Sequence, residues 1–170
     1  MKRTFFIFLC ILMCGTHLNA QQETPKGAFL EKWENSKNYL LEVIKAMPEE
    51  DFGFKPTERQ MSFEEQLLHI QKNIEWLTNS YFQEKDAPVT ATDGTKEALI
   101  RSLTQSFENT SEVIANTTEE ELAETVSFFA GPKSRLQILN LLQDHLTHHR
   151  GQLIVYLNLK GIEPPSYVGW

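Results

Sequence analysis

The chain has 170 residues, with 23 acidic against 16 basic side chains and a net charge of −7. That balance disfavours nucleic acid, whose affinity for proteins comes largely from neutralised phosphates. The length suits one domain with one core, and no apolar run beyond the first 20 residues is long enough to span a bilayer.

Residues 1–20 read as a secretory signal peptide rather than as fold. Lys2 and Arg3 give a charged start, Phe5–Met13 is a short apolar run, and Ala20 is a small residue at the expected cut. Leu12 and Met13 are bulky where a lipoprotein before Cys14 would carry small residues. Cleavage near Gln21 removes Cys10, Cys14 and His17, so the mature chain 21–170 has no thiol for a disulfide, a nucleophile or a cysteine metal site. It leaves 14 basic against 23 acidic residues, a net of −9, in an exported protein, periplasmic or secreted.

The remaining periodicities predict four helices, with no repeat and no low-complexity segment. The first covers about Pro25–Met47, with Thr24 as cap and Pro25 at the first helical position. Phe29, Trp33, Leu40, Val43 and Met47 recur on one face, and residues 48–61, with Gly53 and Pro56, form a loop. The second covers about Ser62–Phe82 and opens on the capping box Ser62-Phe63-Glu64-Glu65. Its core stripe is Phe63, Leu67, Ile70, Ile74, Leu77 and Tyr81. His69 lies beside that stripe, on a face shared with Glu65, Asn73 and Trp76. Residues 84–93 are polar and, extended, reach roughly 33–36 Å, enough to pass a helix of about 32 Å from end to end.

The third helix covers about Thr95–Asn116, with Leu99, Leu103, Phe107 and Ile114 inward. Residues 117–133 read as irregular or weakly extended, with a turn at Gly131-Pro132. The fourth helix covers about Arg135–Lys160, capped by Ser134 and Gln137 and stopped by Gly161. Ile138, Leu142, His145, His149, Gln152 and Tyr156 fall on one stripe that should face the core.

The chemistry lies in His145-Leu146-Thr147-His148-His149, three of the five histidines in five residues. Residues four apart share a helix face, so His145 and His149 can turn two imidazoles on one ion, and His148 can meet His145 by the i,i+3 spacing. A single inward histidine is usually a hydrogen-bonded core residue. Two on one face are costly to bury unpaired or to protonate together, and a shared cation relieves both costs. Imidazoles at their reference pKa would release such an ion below about pH 6.

Other features carry plainer readings. The tryptophans Trp33, Trp76 and Trp170 read as packing, and Glu119-Glu120-Glu121 as solvated charges at a helix start. Asn109-Thr110-Ser111 and Asn116-Thr117-Thr118 match glycosylation acceptors, which matter only in a host that glycosylates.

His145-x-x-x-His149-Arg150-Gly151-Gln152, with Leu153, Leu157, Leu159 and Gly161 after it, resembles the DinB-like family. So do Leu67-Leu68-His69-Ile70 and the loop Phe52-Gly53-Phe54-Lys55-Pro56, and the resemblance covers nearly the whole mature chain. It implies an all-α four-helix bundle of up-down-down-up topology. It also implies a divalent metal on His69, His145 and His149, with His148, Gln152 and Asn73 behind these ligands or at the rim. Three neutral ligands do not distinguish zinc, nickel or iron. The resemblance further suggests a metal-dependent enzyme acting on a small molecule; a homodimer is a separate expectation for the assembly. Some members use small thiols. An export signal sits poorly with thiol cofactors of the reducing cytosol, so hydrolysis competes with thiol transfer. Glu65 would be a base in that case, against its plainer role in the capping box. The other class of function is a non-catalytic metal-binding or interaction bundle.

Overall fold

A computed structural model describes residues 24–83 and 95–170. The leader read over residues 1–20 and the connection read over 84–93 lie outside the described residues. Helix α1 is Pro25–Ala46, α2 is Phe63–Phe82 and α3 is Lys96–Asn116. After the short helix α4, Glu119–Ala123, strands β1, Thr125–Val126, and β2, Lys133–Ser134, pair antiparallel, and helix α5 is Arg135–Leu159.

Each helix start follows from its cap. Thr24 and Thr95 accept from Gly27 and Ala98 backbone N–H groups, while Ser62–Glu65 and Ser134–Gln137 close full capping boxes. Each cap satisfies donors that the helix cannot, at a value of about 1 kcal/mol. Gly161 stops α5 at φ 72, the left-handed conformation that glycine takes without penalty. The Ile162 N–H then reaches back to the Leu157 carbonyl at 2.9 Å.

Side-chain contacts fix the direction of every helix. Lys26, at the start of α1, donates to the Thr117 carbonyl at 2.9 Å, and Lys96, at the start of α3, donates to Met47 at 2.8 Å. These two helices are therefore antiparallel. Between α2 and α3 the pairs run in the same order, Ser102 to Gln71 at 3.1 Å, Ser106 to Glu75 at 2.8 Å and Thr110 to Thr78 at 2.9 Å. Helix α5 opposes α2, since Arg135 donates to the Tyr81 carbonyl at one end and Gln66 approaches Tyr156 at the other. It runs with α1, where Gln143 donates to Ser36 and Arg150 lies over Tyr39. The bundle is thus up-down-down-up, with α1 beside α3 and α5, and α2 beside the same two helices. The parallel pair α2 and α3 needs the long connection that residues 84–93 were read to supply.

The main core cluster draws on all four long helices, including Trp33, Leu40, Leu67, Ile70, Leu103 and Phe107, and a smaller cluster joins Ile114, Leu122 and Leu139. Trp33 donates its indole N–H to the Phe107 carbonyl at 3.2 Å and packs on the Phe107 ring at 4.5 Å. The loop after α1 holds a single 3₁₀ turn, Glu49–Asp51, and is clamped to its surroundings. The Phe52 and Phe54 carbonyls accept from Glu64 and Phe63, and Phe54 meets the Tyr156 ring edge-on.

Two expectations need correction. Residues 117–133 are more ordered than their composition suggested. Thr118 and Glu121 form a third capping box that starts the unexpected helix α4, while the short β1–β2 ladder and the turn at Gly131, φ 92, agree with the weak extension and the turn expected there. The acidic run 119–121 is indeed a solvated helix start. The inward face of α5 also differs. Leu139, Leu146, Leu153 and Leu157 are buried together with Ile138, Leu142, His149 and Tyr156, while His145 and Gln152 are only half-buried. Because α5 packs against both α1 and α2, its apolar residues cover more than one face, and the histidines lie on the flank toward α2.

Candidate metal centre

His69 of α2 faces His145 and His149 of α5 across the seam between the two helices. The pairwise ring centroids are 4.9 Å for His69–His145, 4.6 Å for His69–His149 and 4.4 Å for His145–His149. One nitrogen from each ring lies within 4.8 Å of the others, and His69 Nε2 is 3.1 Å from His145 Nε2. An ion with metal–nitrogen bonds of about 2.0–2.1 Å holds its ligands about 2.9–3.4 Å apart, for right-angle to tetrahedral geometry. The His69–His145 separation falls in that range, and the third ring nitrogen lies within 4.8 Å of both. These residues therefore fit a divalent cation, and the donor set, three neutral imidazoles, fits a borderline one.

Burial sets the protonation of the two α5 histidines. His149 is 8% exposed. Desolvation, with the neighbouring rings behind it, pushes both His145 and His149 down to about 4. His145 and His149 thus stay in the neutral, metal-binding form well below the pH 6 expected from reference values.

The orientation of His149 is fixed by a chain of hydrogen bonds whose direction is set at its far end. Tyr156 donates its hydroxyl proton to the Met61 carbonyl at 2.8 Å, so its oxygen accepts from Gln66 Nε2 at 3.4 Å. Gln66 Nε2 also donates to Gln152 Oε1 at 2.5 Å. Gln66 Oε1 must then face His149, where it accepts from Nδ1 at 2.5 Å. With the proton on Nδ1, the lone pair of His149 lies on Nε2, the tautomer a metal ligand needs. Gln152 continues the chain by donating to His148 Nε2 at 2.8 Å.

The structure sorts the sequence-predicted residues by role. His69, His145 and His149 come together. His148 is exposed, touches His149 ring to edge at 5.0 Å, and joins through Gln152. Asn73 stands one turn beyond His69 and takes no part in the chain; its Oδ1 is buried with no hydrogen-bond partner among the described residues. Glu65 is a capping carboxylate. It pairs with Lys55 at 2.8 Å and accepts from the Ser62 N–H, contacts that hold its pKa below the usual glutamate value. Gln66 is the residue that sequence reasoning passed over. The signal was there, since Gln66 is a polar residue at a core position between Phe63 and Ile70.

Consecutive residues of the His-Arg-Gly-Gln segment point different ways. His149 faces α2, Arg150 is buried over the Tyr39 ring of α1 at 4.8 Å, Gly151 is exposed, and Gln152 serves the chain behind His149.

Comparison with known proteins gives a consistent result. The sequence model of the DinB family matches residues 15–169. The chain is 26% identical over 136 residues to the uncharacterized protein YjoA of Bacillus subtilis strain 168, covering 77% of this chain and 88% of that protein. The crystal structure of YjoA, a DinB-like protein, superposes with a TM-score of 0.70, covering 82% of this chain and 96% of that one at 26% identity. A DinB-like protein of Bacillus cereus ATCC 10987 superposes with a TM-score of 0.68 over 82% of this chain and 95% of that one; at 19% identity the likeness is one of fold.

Proposed function

Since the chain belongs to the DinB family, we propose that His69, His145 and His149 hold one divalent ion and that the protein is a metal-dependent enzyme acting on a small molecule. The observation that carries this reading is the convergence of three imidazole nitrogens within 4.8 Å, one of them held in its ligand tautomer by Gln66. Bound there, the ion would act as a Lewis acid that draws in an anionic group and lowers the pKa of a water or thiol.

The chain's own residues then have distinct tasks. His69 and His145 supply Nε2 from opposite helices, so the site assembles only when α2 and α5 close on each other. Gln66 holds His149, and Gln152 ties Gln66 to the exposed His148. Residues 21–170 contain no cysteine, so any thiol must be brought by the substrate. We place the protein outside the cytosol after cleavage near Ala20, on the charged start and apolar run of residues 2–13. That compartment favours hydrolysis over thiol transfer as the reaction class.

Cobalt(II) substitution tests the reading. Three histidines and an exchangeable position give a visible spectrum that shifts when azide or a small thiolate is added. A cobalt spectrum insensitive to both ligands would mean a closed site, and the protein would then be a metal-binding bundle without catalysis.

A further inference from the structure

The face of α2 that bears His69 continues beyond it. His69, Asn73 and Trp76 follow at i, i+4 and i+7, which keeps them in one stripe, with Trp76 about 10 Å along the axis from His69. Trp76 is 43% exposed although it was read as packing, and Phe129, from the β1–β2 turn, is 82% exposed. Phe128 joins them. Its ring stacks on Trp76 at 6.2 Å with 26° between the planes, and it lies 5.7 Å from Tyr81 and 4.3 Å from Phe129. Phe129 also faces Trp76 at 6.3 Å. The turn is thus fastened to α2 by aromatic contacts that leave flat ring surface open to solvent. Between this surface and the histidines stands the buried Asn73 Oδ1, an acceptor with no donor among the described residues.

Each of these features asks for a different chemical group. Three neutral imidazoles around a divalent ion leave positive charge that an anion would balance. A buried amide oxygen without a partner calls for an N–H or O–H. Exposed rings set side by side, tilted by 26° to 43°, call for another flat apolar group. Three rings offer far less area than the roughly 800 Å² that each partner contributes to a stable protein interface. Their line leads to the histidines instead. We propose that this stripe is the substrate-binding arm of the three-histidine site. Its ligand is a small molecule with an anionic head for the ion, a hydrogen-bond donor for Asn73 one turn away, and an aromatic tail for Trp76 and Phe129. The proposal rests on the metal-site reading above.

Calorimetric titration of the zinc-loaded protein with two probes tests it. N-phenylacetylglycine and N-acetylglycine share a carboxylate and an amide N–H and differ in the aromatic ring. The ring-bearing probe should bind at least about tenfold more tightly. Trp76→Ala should bring it down to the affinity of N-acetylglycine, and Phe129→Ala should lower it part of the way. Asn73→Leu should weaken both probes. Equal affinities in the unaltered protein, or a tenfold preference that survives both ring variants, would overturn the proposal. So would a dimer that Trp76→Ala dissociates in sedimentation without any change in probe preference. If the protein takes up no zinc, the metal-site reading falls along with this one; zinc uptake without probe preference overturns this one alone.

Discussion

Among the single residues, Gln66 says most about how the site is held. It is buried, it accepts from His149 Nδ1, and its other contacts are to Gln152 and Tyr156. Gln66→Leu keeps the volume but frees the ring to rotate, so metal affinity should fall by about 10- to 100-fold, as for other residues that orient a ligand. Competition against a chromophoric chelator measures this, and an unchanged affinity would show that the network is incidental. His148→Ala, by contrast, should cost little, since that ring is exposed and reaches the cluster only through Gln152. The depressed histidines also make a pH prediction for the metal-free protein. His145 and His149 titrate at about 4 when folded and near 6.5 when unfolded, so between those values the unfolded chain binds more protons. Their contribution to stability is full above about pH 6.5 and is lost as pH falls toward 4, by up to about 1.4 kcal/mol per unit per histidine. Thermal melts from pH 7 to 4.5 should show the decline, and a His145→Ala/His149→Ala double variant should show a shallower one. The histidines were legible as a cluster because spacing alone puts two of them on one face. Gln66 was not, because a glutamine in an apolar stripe signals burial without saying what it bonds.

At the level of the elements, the glycine inside α5 and the glycine that stops it behave oppositely. Gly151 lies inside the helix, exposed, with open space where a Cβ would go. Gly151→Ala should stabilise the protein by about 0.5–1 kcal/mol through helix propensity. Gly161 has φ 72, where an L side chain is strained, and Gly161→Ala should destabilise by about 1 kcal/mol. Chemical denaturation of the two variants decides both signs; stabilisation by Gly161→Ala would contradict the left-handed stop. The helix starts were readable because Ser62, Ser134 and Thr24 announce them with local chemistry. The helix at Glu119–Ala123 carries the same signal in Thr118 and Glu121, but five residues are too few for a periodicity to support it. Strands β1 and β2 have two residues each, and no alternation can be read in so short a span. The face of α5 was misjudged for a different reason. A helix touching two neighbours buries two stripes, and choosing one apolar stripe placed His145 deeper than it lies.

For the molecule as a whole, the bundle and the site are separable. Four long helices share an apolar core with contributions from each, and the three histidines sit at the seam of only two of them. Domains that need a metal to fold are usually much smaller. The chelator-treated protein should therefore keep its helical circular dichroism and a cooperative melt. Its melting temperature should lie below that of the loaded form, because an ion bound only to the native state adds a few kcal/mol by mass action. Loss of helix on chelation at 25 °C would make the ion structural. The reach of residues 84–93 allows a parallel pair of second and third helices, and the full order comes from the family resemblance. Periodicity yields helices and their inward faces, whereas direction depends on contacts such as Lys26 to Thr117 that lie 91 residues apart. Export belongs to the same scale. Cleavage near Ala20 predicts a mature N-terminus at or near Gln21, and N-terminal sequencing of cell-envelope material that returned Met1 would refute it.

The most direct test is the metal content of untagged protein, stripped with chelator, reloaded with zinc and passed through a desalting column. One ion per chain should remain, it should be largely lost in His69→Ala, His145→Ala and His149→Ala, and it should persist in His148→Ala. An unaltered protein that retains no more zinc than the triple variant lacking all three histidines would contradict the assignment.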